Sequence, residues 1–102
     1  MSQTDLEIDQ DIESMLDSIV HEQTPKRLVI FNDDEHNQVE VVVQIMRARE
    51  VAGQPCTPEQ AMAIMMQAHT SGQGIVLTST LETCRKAQAV LEAIGLGTDI
   101  ID

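Results

Sequence analysis

Two short runs rich in β-branched residues, Arg27-Leu28-Val29-Ile30-Phe31 and Gly74-Ile75-Val76-Leu77-Thr78, constrain this chain more than any other feature. Both have strand length and side chains that suit a pleated, half-buried surface. The first ends at Asn32-Asp33-Asp34, a turn-forming cluster. Between the runs lie two helical stretches. From Val39 to about Val51 the apolar residues Val39, Val42, Val43 and Met46 recur at helical spacing, and Gly53-Gln54-Pro55-Cys56 closes the stretch. The next helix has a sharp start, with Thr57 as N-cap, Pro58 at the first helical position and Gln60 as capping-box partner. It runs to about His69 and stops at Ser71-Gly72. After the second strand, Ser79 and Glu82 have capping-box spacing for a third helix. Its apolar stripe is Leu81, Cys84, Ala87, Leu91 and Ile94, Gly95 is its natural stop, and Thr98 to Ile101 reads as a last short strand. The order strand, helix, helix, strand, helix, strand predicts a small α+β domain, with helices on one face of an antiparallel sheet of about three strands.

A chain of 102 residues is the size of one domain. Its 42% hydrophobic content is enough for a core, but a single Phe and no Trp or Tyr leave Val, Ile, Leu and Met to fill it. The same scarcity excludes a base-stacking platform. With 17 Asp plus Glu against 6 Lys plus Arg and a formal charge of −11, the chain repels phosphate backbones and anionic bilayers. Nucleic acid and membrane are therefore not expected as partners, whereas cationic and N-terminal-amine partners are. The acids concentrate before Thr24-Pro25-Lys26-Arg27, where Asp5, Glu7, Asp9, Asp11, Glu13, Asp17 and Glu22 meet no Lys or Arg. This divides an N-terminal extension, residues 1–25, from a domain at 26–102. Within the extension Ile8, Ile12, Met15, Leu16, Ile19 and Val20 have helical spacing, so an amphipathic helix from about Asp5 to Glu22 and a solvated tail are both open readings. No apolar run approaches the roughly 20 residues of a membrane span, and the acidic start is unlike a targeting peptide, so a cytoplasmic protein with Cys56 and Cys84 reduced is expected.

Two constellations have chemical potential. If strand geometry persists past Phe31, Asn32 and Asp34 point to one side and Asp33 to the other, which sets an amide oxygen beside a carboxylate; a simple turn is the other reading. His69 lies four and seven residues after Met65 and Met62, so the three share a helix face and place an imidazole at the mouth of an apolar hollow. A core Met stripe with a satisfied histidine is the alternative. Finally, His21, His36 and His69 have no metal-binding spacing, and no nucleophile motif is present, so neither a metal, a cofactor nor an enzyme is expected.

In order and spacing these residues resemble the ClpS adaptors, which deliver N-degron substrates to a Clp protease. Asn32-Asp33-Asp34 after a hydrophobic strand is similar to the family's Asn-Asp-Asp motif. Glu59-Gln60-Ala61 through Met65 to His69, then Gly72 and Gly74, resembles its Glu-x-Ala, Met and His-x-x-Gly-x-Gly segment, and the helix from Leu81 to Ile94 ending at Gly95 is the third match. The resemblance implies that Asn32, Asp34 and His69, with Asp33 nearby, hold a substrate's N-terminal amine. It implies an apolar pocket at Val39, Val42, Met65 and Ala68 for the first side chain. It also implies docking of the N-terminal domain of an AAA+ unfoldase at Glu82 with Lys86, and a monomer. The segment Glu35-His36-Asn37-Gln38 departs from the family's usual apolar gate, making the rim more polar and leaving room for an inserted residue. A ClpS-fold interaction module with a different ligand is therefore the alternative reading.

Overall fold

The computed structural model describes residues 24–102, and the amphipathic stretch from about Asp5 to Glu22 lies outside them. Strand β1, Lys26–Phe31, leads to helix α1, Gln38–Val51, and helix α2, Pro58–Ser71. Strand β2, Gln73–Ser79, helix α3, Leu81–Glu92, and strand β3, Thr98–Ile101, complete the order that the sequence predicts. The sheet order is β2-β1-β3 with both pairings antiparallel, so β1 is the central strand.

Each helix begins at a side chain that accepts an otherwise unpaired backbone N–H. Asn37 Oδ1 accepts from Glu40 N at 2.8 Å, which starts α1 ahead of Val39. For α2 the full capping box is present, with Thr57 Oγ1 accepting from Gln60 N at 3.1 Å and Gln60 Oε1 accepting from Thr57 N at 2.9 Å. Helix α3 is capped by Thr80, which accepts from Thr83 N at 3.2 Å, and not by the predicted Ser79 with Glu82. Ser79 is still paired with Lys26 in the sheet, so Thr80 is the first residue whose side chain can cap.

Leu28 and Ile30 of β1 pack against Val41, Val42, Ile45 and Ala48 of α1, Ala61, Met65 and Ala68 of α2, and Cys84, Ala87 and Leu91 of α3. Alanines on all three helices let their backbones approach the sheet and one another. The only aromatic residue, Phe31, is not in this core and is 40% exposed at the end of β1. Both cysteines are free. Burial pushes the Cys84 thiol up, although a hydrogen bond to the Ser79 carbonyl acts the other way, so Cys84 behaves as a small apolar residue.

The pairing of β1 with β2 shifts between Leu28 and Val29, so that Leu28 faces Leu77 and Val29 faces Ile75. Val76, fully buried, is the extra residue. Arg49 of α1 donates to the Val76 carbonyl at 2.8 Å and to the Gln54 carbonyl at 2.8 Å, which satisfies the bulge from the helical layer. The chain then leaves α2 for β2 through Gly72, at φ +89°, a left-handed cap that favours glycine. Two residues later, α2 lies directly on the backbone of Gly74. A Cβ there would collide with the Ile64 carbonyl oxygen and sit 3.1 Å from the Ala68 nitrogen. Gly74→Ala is accordingly expected to destabilise the domain by about 1–3 kcal/mol, read as a lower urea midpoint, because the clash is with helix backbone and not with a flexible side chain.

Candidate functional site

The C-terminal end of β1, the loop after it, the start of α1 and the second half of α2 surround a hollow of about 220 Å³. Its floor and walls come from Ile30, Phe31, Val41, Met65, Met66 and Ala68, and its rim from Asn32, Asp33, Asp34, His36, Gln38 and His69. Backbone hydrogen bonds hold the loop's entrance from two directions. Phe31 N donates to the Gly97 carbonyl at 3.0 Å and Asn32 N to the Gly72 carbonyl at 3.2 Å. The glycine that ends α2 thus anchors the residue that opens the rim.

Asp33 has a different task from its neighbours. Its Oδ1 accepts from Glu35 N at 2.7 Å and His36 N at 2.8 Å, and its Oδ2 lies 2.7 Å from His36 Nδ1. Partial burial acts to raise this carboxyl, but the hydrogen bonds from the His36 backbone and ring and from the Glu35 backbone outweigh it and hold the pKa below its usual 3.8. Asp33 therefore builds the turn. Asn32, Asp34 and His69, by contrast, make no side-chain hydrogen bond among the described residues, and all three are exposed on the rim. An amide, a carboxylate and an imidazole with uncommitted acceptor capacity stand over an apolar floor.

The structure therefore brings Asn32, Asp33, Asp34, Met65, Ala68 and His69 to one hollow and leaves Val39 and Val42 outside it. Val39 is 71% exposed on the outer side of α1, and Val42 is buried in the core. The wall position belongs to Val41. Val41-Val42-Val43 offers no polar contrast from which a helical phase can be read, and successive residues point about 100° apart. The inward face is the stripe Val41, Ile45 and Ala48, spaced by four and three residues, whereas the Asn37-x-x-Glu40 cap marks only where the helix starts. Gln38, His36, Phe31, Ile30 and Met66 are further lining residues that helical periodicity does not reveal. The Met stripe divides between two roles, with Met65 buried and Met62 and Met66 each 40% exposed.

Glu82 and Lys86 lie on the exposed side of α3, where Lys86 Nζ is 3.5 Å from Glu82 Oε1. With Leu81, Arg85 and Ala89 they line a shallow depression. A second hollow, about 580 Å³, runs along the outside of α1 past Val39, Val43, Arg47 and Ile94. Four of its polar side chains are already engaged: Gln44 donates to the Val90 carbonyl at 2.6 Å and accepts from Arg47 at 3.2 Å, and Glu40 accepts from Asn37 Nδ2 at 2.8 Å. It has no imidazole, and its one carboxylate is the cap-bound Glu40. Among the described residues no group of three or more His, Cys, Asp or Glu is placed to hold a metal, and no helix is long and apolar enough to cross a membrane.

This arrangement has relatives. The family model for the ATP-dependent Clp protease adaptor protein ClpS matches residues 21–96. The chain belongs to the ClpS family. A ClpS adapter of Synechococcus elongatus is 33% identical over 76 residues, covering 74% of this chain and 77% of that protein. A ClpS adapter of Prochlorococcus marinus is 31% identical over 77 residues, covering 76% and 70%. In solved structures, Agrobacterium tumefaciens ClpS2 bound to L-phenylalaninamide has the same fold, with a TM-score of 0.60 at 17% identity, covering 78% of this chain and 98% of that one. ClpS proteins are adaptors of a Clp protease and not proteases themselves. The α+β fold with order β-α-α-β-α-β is the ClpS fold.

The two kinds of rim carboxylate separate in a stability measurement. Asp33→Ala is expected to cost about 1 kcal/mol or more near neutral pH, because two loop N–H groups and the His36 ring lose their acceptor. Asp33 has a depressed pKa in the fold, so its stabilisation is present above the unfolded value of 3.8 and disappears as pH falls through the folded value. Asp34→Ala and His69→Ala are expected to change stability by less than about 0.5 kcal/mol. Urea unfolding of the three variants at neutral and acid pH checks both statements.

Proposed function

We propose that this ClpS-family protein captures the free N-terminal amine and bulky hydrophobic first side chain of N-degron substrates and delivers them to an AAA+ Clp unfoldase. The observation that carries this reading is the meeting of the uncommitted Asn32, Asp34 and His69 side chains over the apolar surface of Ile30, Val41, Met65 and Ala68. An α-amino group has a pKa of about 7.7–8.0, so at neutral pH it is mostly ammonium and offers three donors. The Asn32 amide oxygen, the Asp34 carboxylate and a His69 ring nitrogen are three acceptors, and the carboxylate adds charge assistance.

The hollow suits one side chain. Its volume of about 220 Å³ is below the roughly 300–1,000 Å³ of sites that enclose drug-sized ligands. Burying a Phe or Leu side chain there contributes roughly 1.5–3 kcal/mol. L-phenylalaninamide, the ligand of the Agrobacterium protein, has the same two features, a free amine beside a bulky apolar side chain, and this supports the reading. Phe, Leu, Trp and Tyr are the first residues it favours.

Fluorescence anisotropy with short peptides that begin with these residues tests the proposal. Micromolar or tighter binding is expected with a free amine, with a loss of about tenfold or more on acetylation, on Asp34→Ala and on His69→Ala. If no free-amine peptide binds, the reading fails and the second one gains. In that second reading the ClpS scaffold takes another ligand, and Gln38, a polar residue on the rim of the hollow, is the observation that favours it.

The exposed side of α3 at Glu82 and Lys86 is the proposed docking face for the N-terminal domain of the unfoldase, with the chain acting as a cytoplasmic monomer. A single exposed ion pair such as Glu82 with Lys86 contributes at most about 0.5 kcal/mol to folding, so both residues are available to a partner. Glu82→Lys is expected to weaken binding to that isolated unfoldase domain by about fivefold or more without altering peptide affinity. Unchanged unfoldase affinity would move the docking face elsewhere.

A further inference from the structure

Between the Asn32 N–H and the Asn37 cap, one side chain among the described residues, His36, fastens the rim loop to the body. Its Nδ1 lies 2.7 Å from Asp33 Oδ2, and its Nε2 meets the Ile94 carbonyl oxygen just beyond α3. A neutral imidazole has one donor and one acceptor, but here both ring nitrogens face acceptors. Only the imidazolium can donate to both. The site is partly desolvated, with the His36 and Asp33 side chains 17% and 14% exposed. The carbonyl lies just past the C-terminal end of α3, a region where cations are favoured.

We propose that His36, as imidazolium, is a positioning residue of the amine site: it ties the Asn32–Asp34 loop to the end of α3, so that affinity for amine ligands falls when the ring loses its proton. The inference rests on the reading of the hollow as an amine site. Its chain of action is short. His36 fixes the Asp33 carboxylate, Asp33 accepts the Glu35 and His36 backbone N–H groups, and that turn sets the direction of Asn32 and Asp34.

The hydrogen bond with Asp33 raises the His36 pKa above its usual 6.5; partial burial opposes this, and the Ile94 carbonyl and the charges of Asp33 and Glu40 add to it. These are the groups that face the ring: Asp33 from its own loop, Glu40 from the first turn of α1, and the Ile94 carbonyl from the end of α3. A raised folded value means that the clasp is complete below about pH 6.5 and opens as pH rises through the folded value.

The test compares the wild type with His36→Gln, which is neutral at every pH, from about pH 5.5 to about pH 8.5. Peptide affinity is measured by anisotropy with one free-amine Phe peptide. Without peptide, NMR follows the His36 ring titration and the hydrogen-exchange protection of the Glu35 and His36 amides. Titration of the peptide amine is common to both proteins and cancels in their affinity ratio. The wild type is expected to bind about fivefold or more tightly than His36→Gln at the acid end, a coupling of ordinary size between two sites. The ratio is expected to approach one as His36 deprotonates, with amide protection falling over the same pH range. His36→Arg, which keeps its charge and can donate to both acceptors, is expected to retain the tighter affinity throughout. An affinity ratio independent of pH, or amide protection indifferent to the ring titration, would overturn the proposal. If the wild type binds no free-amine peptide at any pH, the amine-site reading fails with it. Because the amide measurement needs no ligand, that failure is distinguishable from absence of the clasp.

Discussion

Strand β1 is hydrogen-bonded along both edges, to β2 and to β3, and this double pairing is the constraint on which the rest of the domain depends. It forces Leu28 and Ile30 into the helical layer and fixes the direction in which the chain emerges after Phe31. With no large aromatic residue in the core, close packing is reached by bringing backbones together. Ala48, Ala61, Ala68 and Ala87 are fully or almost fully buried, and Gly74 lets α2 lie on β2. The rim loop inherits its position from this packing, because the Gly72 carbonyl that holds Asn32 belongs to the cap of that same helix. Core and site are consequently one mechanical unit.

The rim shows how similar side chains in sequence acquire different duties. Asp33 and Asp34 are adjacent, but Asp33 is the acceptor around which the turn closes, whereas Asp34 is open to a ligand. The division of labour has a physical basis. A ligand-binding acceptor has to be both uncommitted and fixed in place, and one residue cannot readily terminate its own turn while meeting a ligand. His36 extends this logic from the loop to the end of α3.

Much of the fold is legible in the sequence because its local signals are strong. The runs at Arg27–Phe31 and Gly74–Thr78 and the cap at Thr57 lie within a residue or two of the observed boundaries. What escaped depends on contacts distant in sequence. Ser79 resembles a cap until its pairing with Lys26 is known, and Val76 is an ordinary strand residue until Arg49 reaches its carbonyl. At the site, Asn32, Asp34, Met65, Ala68 and His69 could be selected from spacing and resemblance. Val41 could not be chosen over Val39 and Val42, since a run of valines has no phase of its own. In the sequence His36 is only a departure from the family's gate, because its partner at Ile94 is 58 residues away.

The central claim is that the small hollow beside Asn32, Asp34 and His69 receives an amine and its neighbouring side chain. The most direct measurement is NMR shift mapping of the full chain during addition of L-phenylalaninamide and, in parallel, of its N-acetylated form. The account predicts saturable shifts at Asn32, Asp34, Met65 and His69 with the free amine and none with the acetylated compound. Shifts confined to Val39, Val43 and Arg47 on the outside of α1, or equal responses to the two compounds, would contradict it.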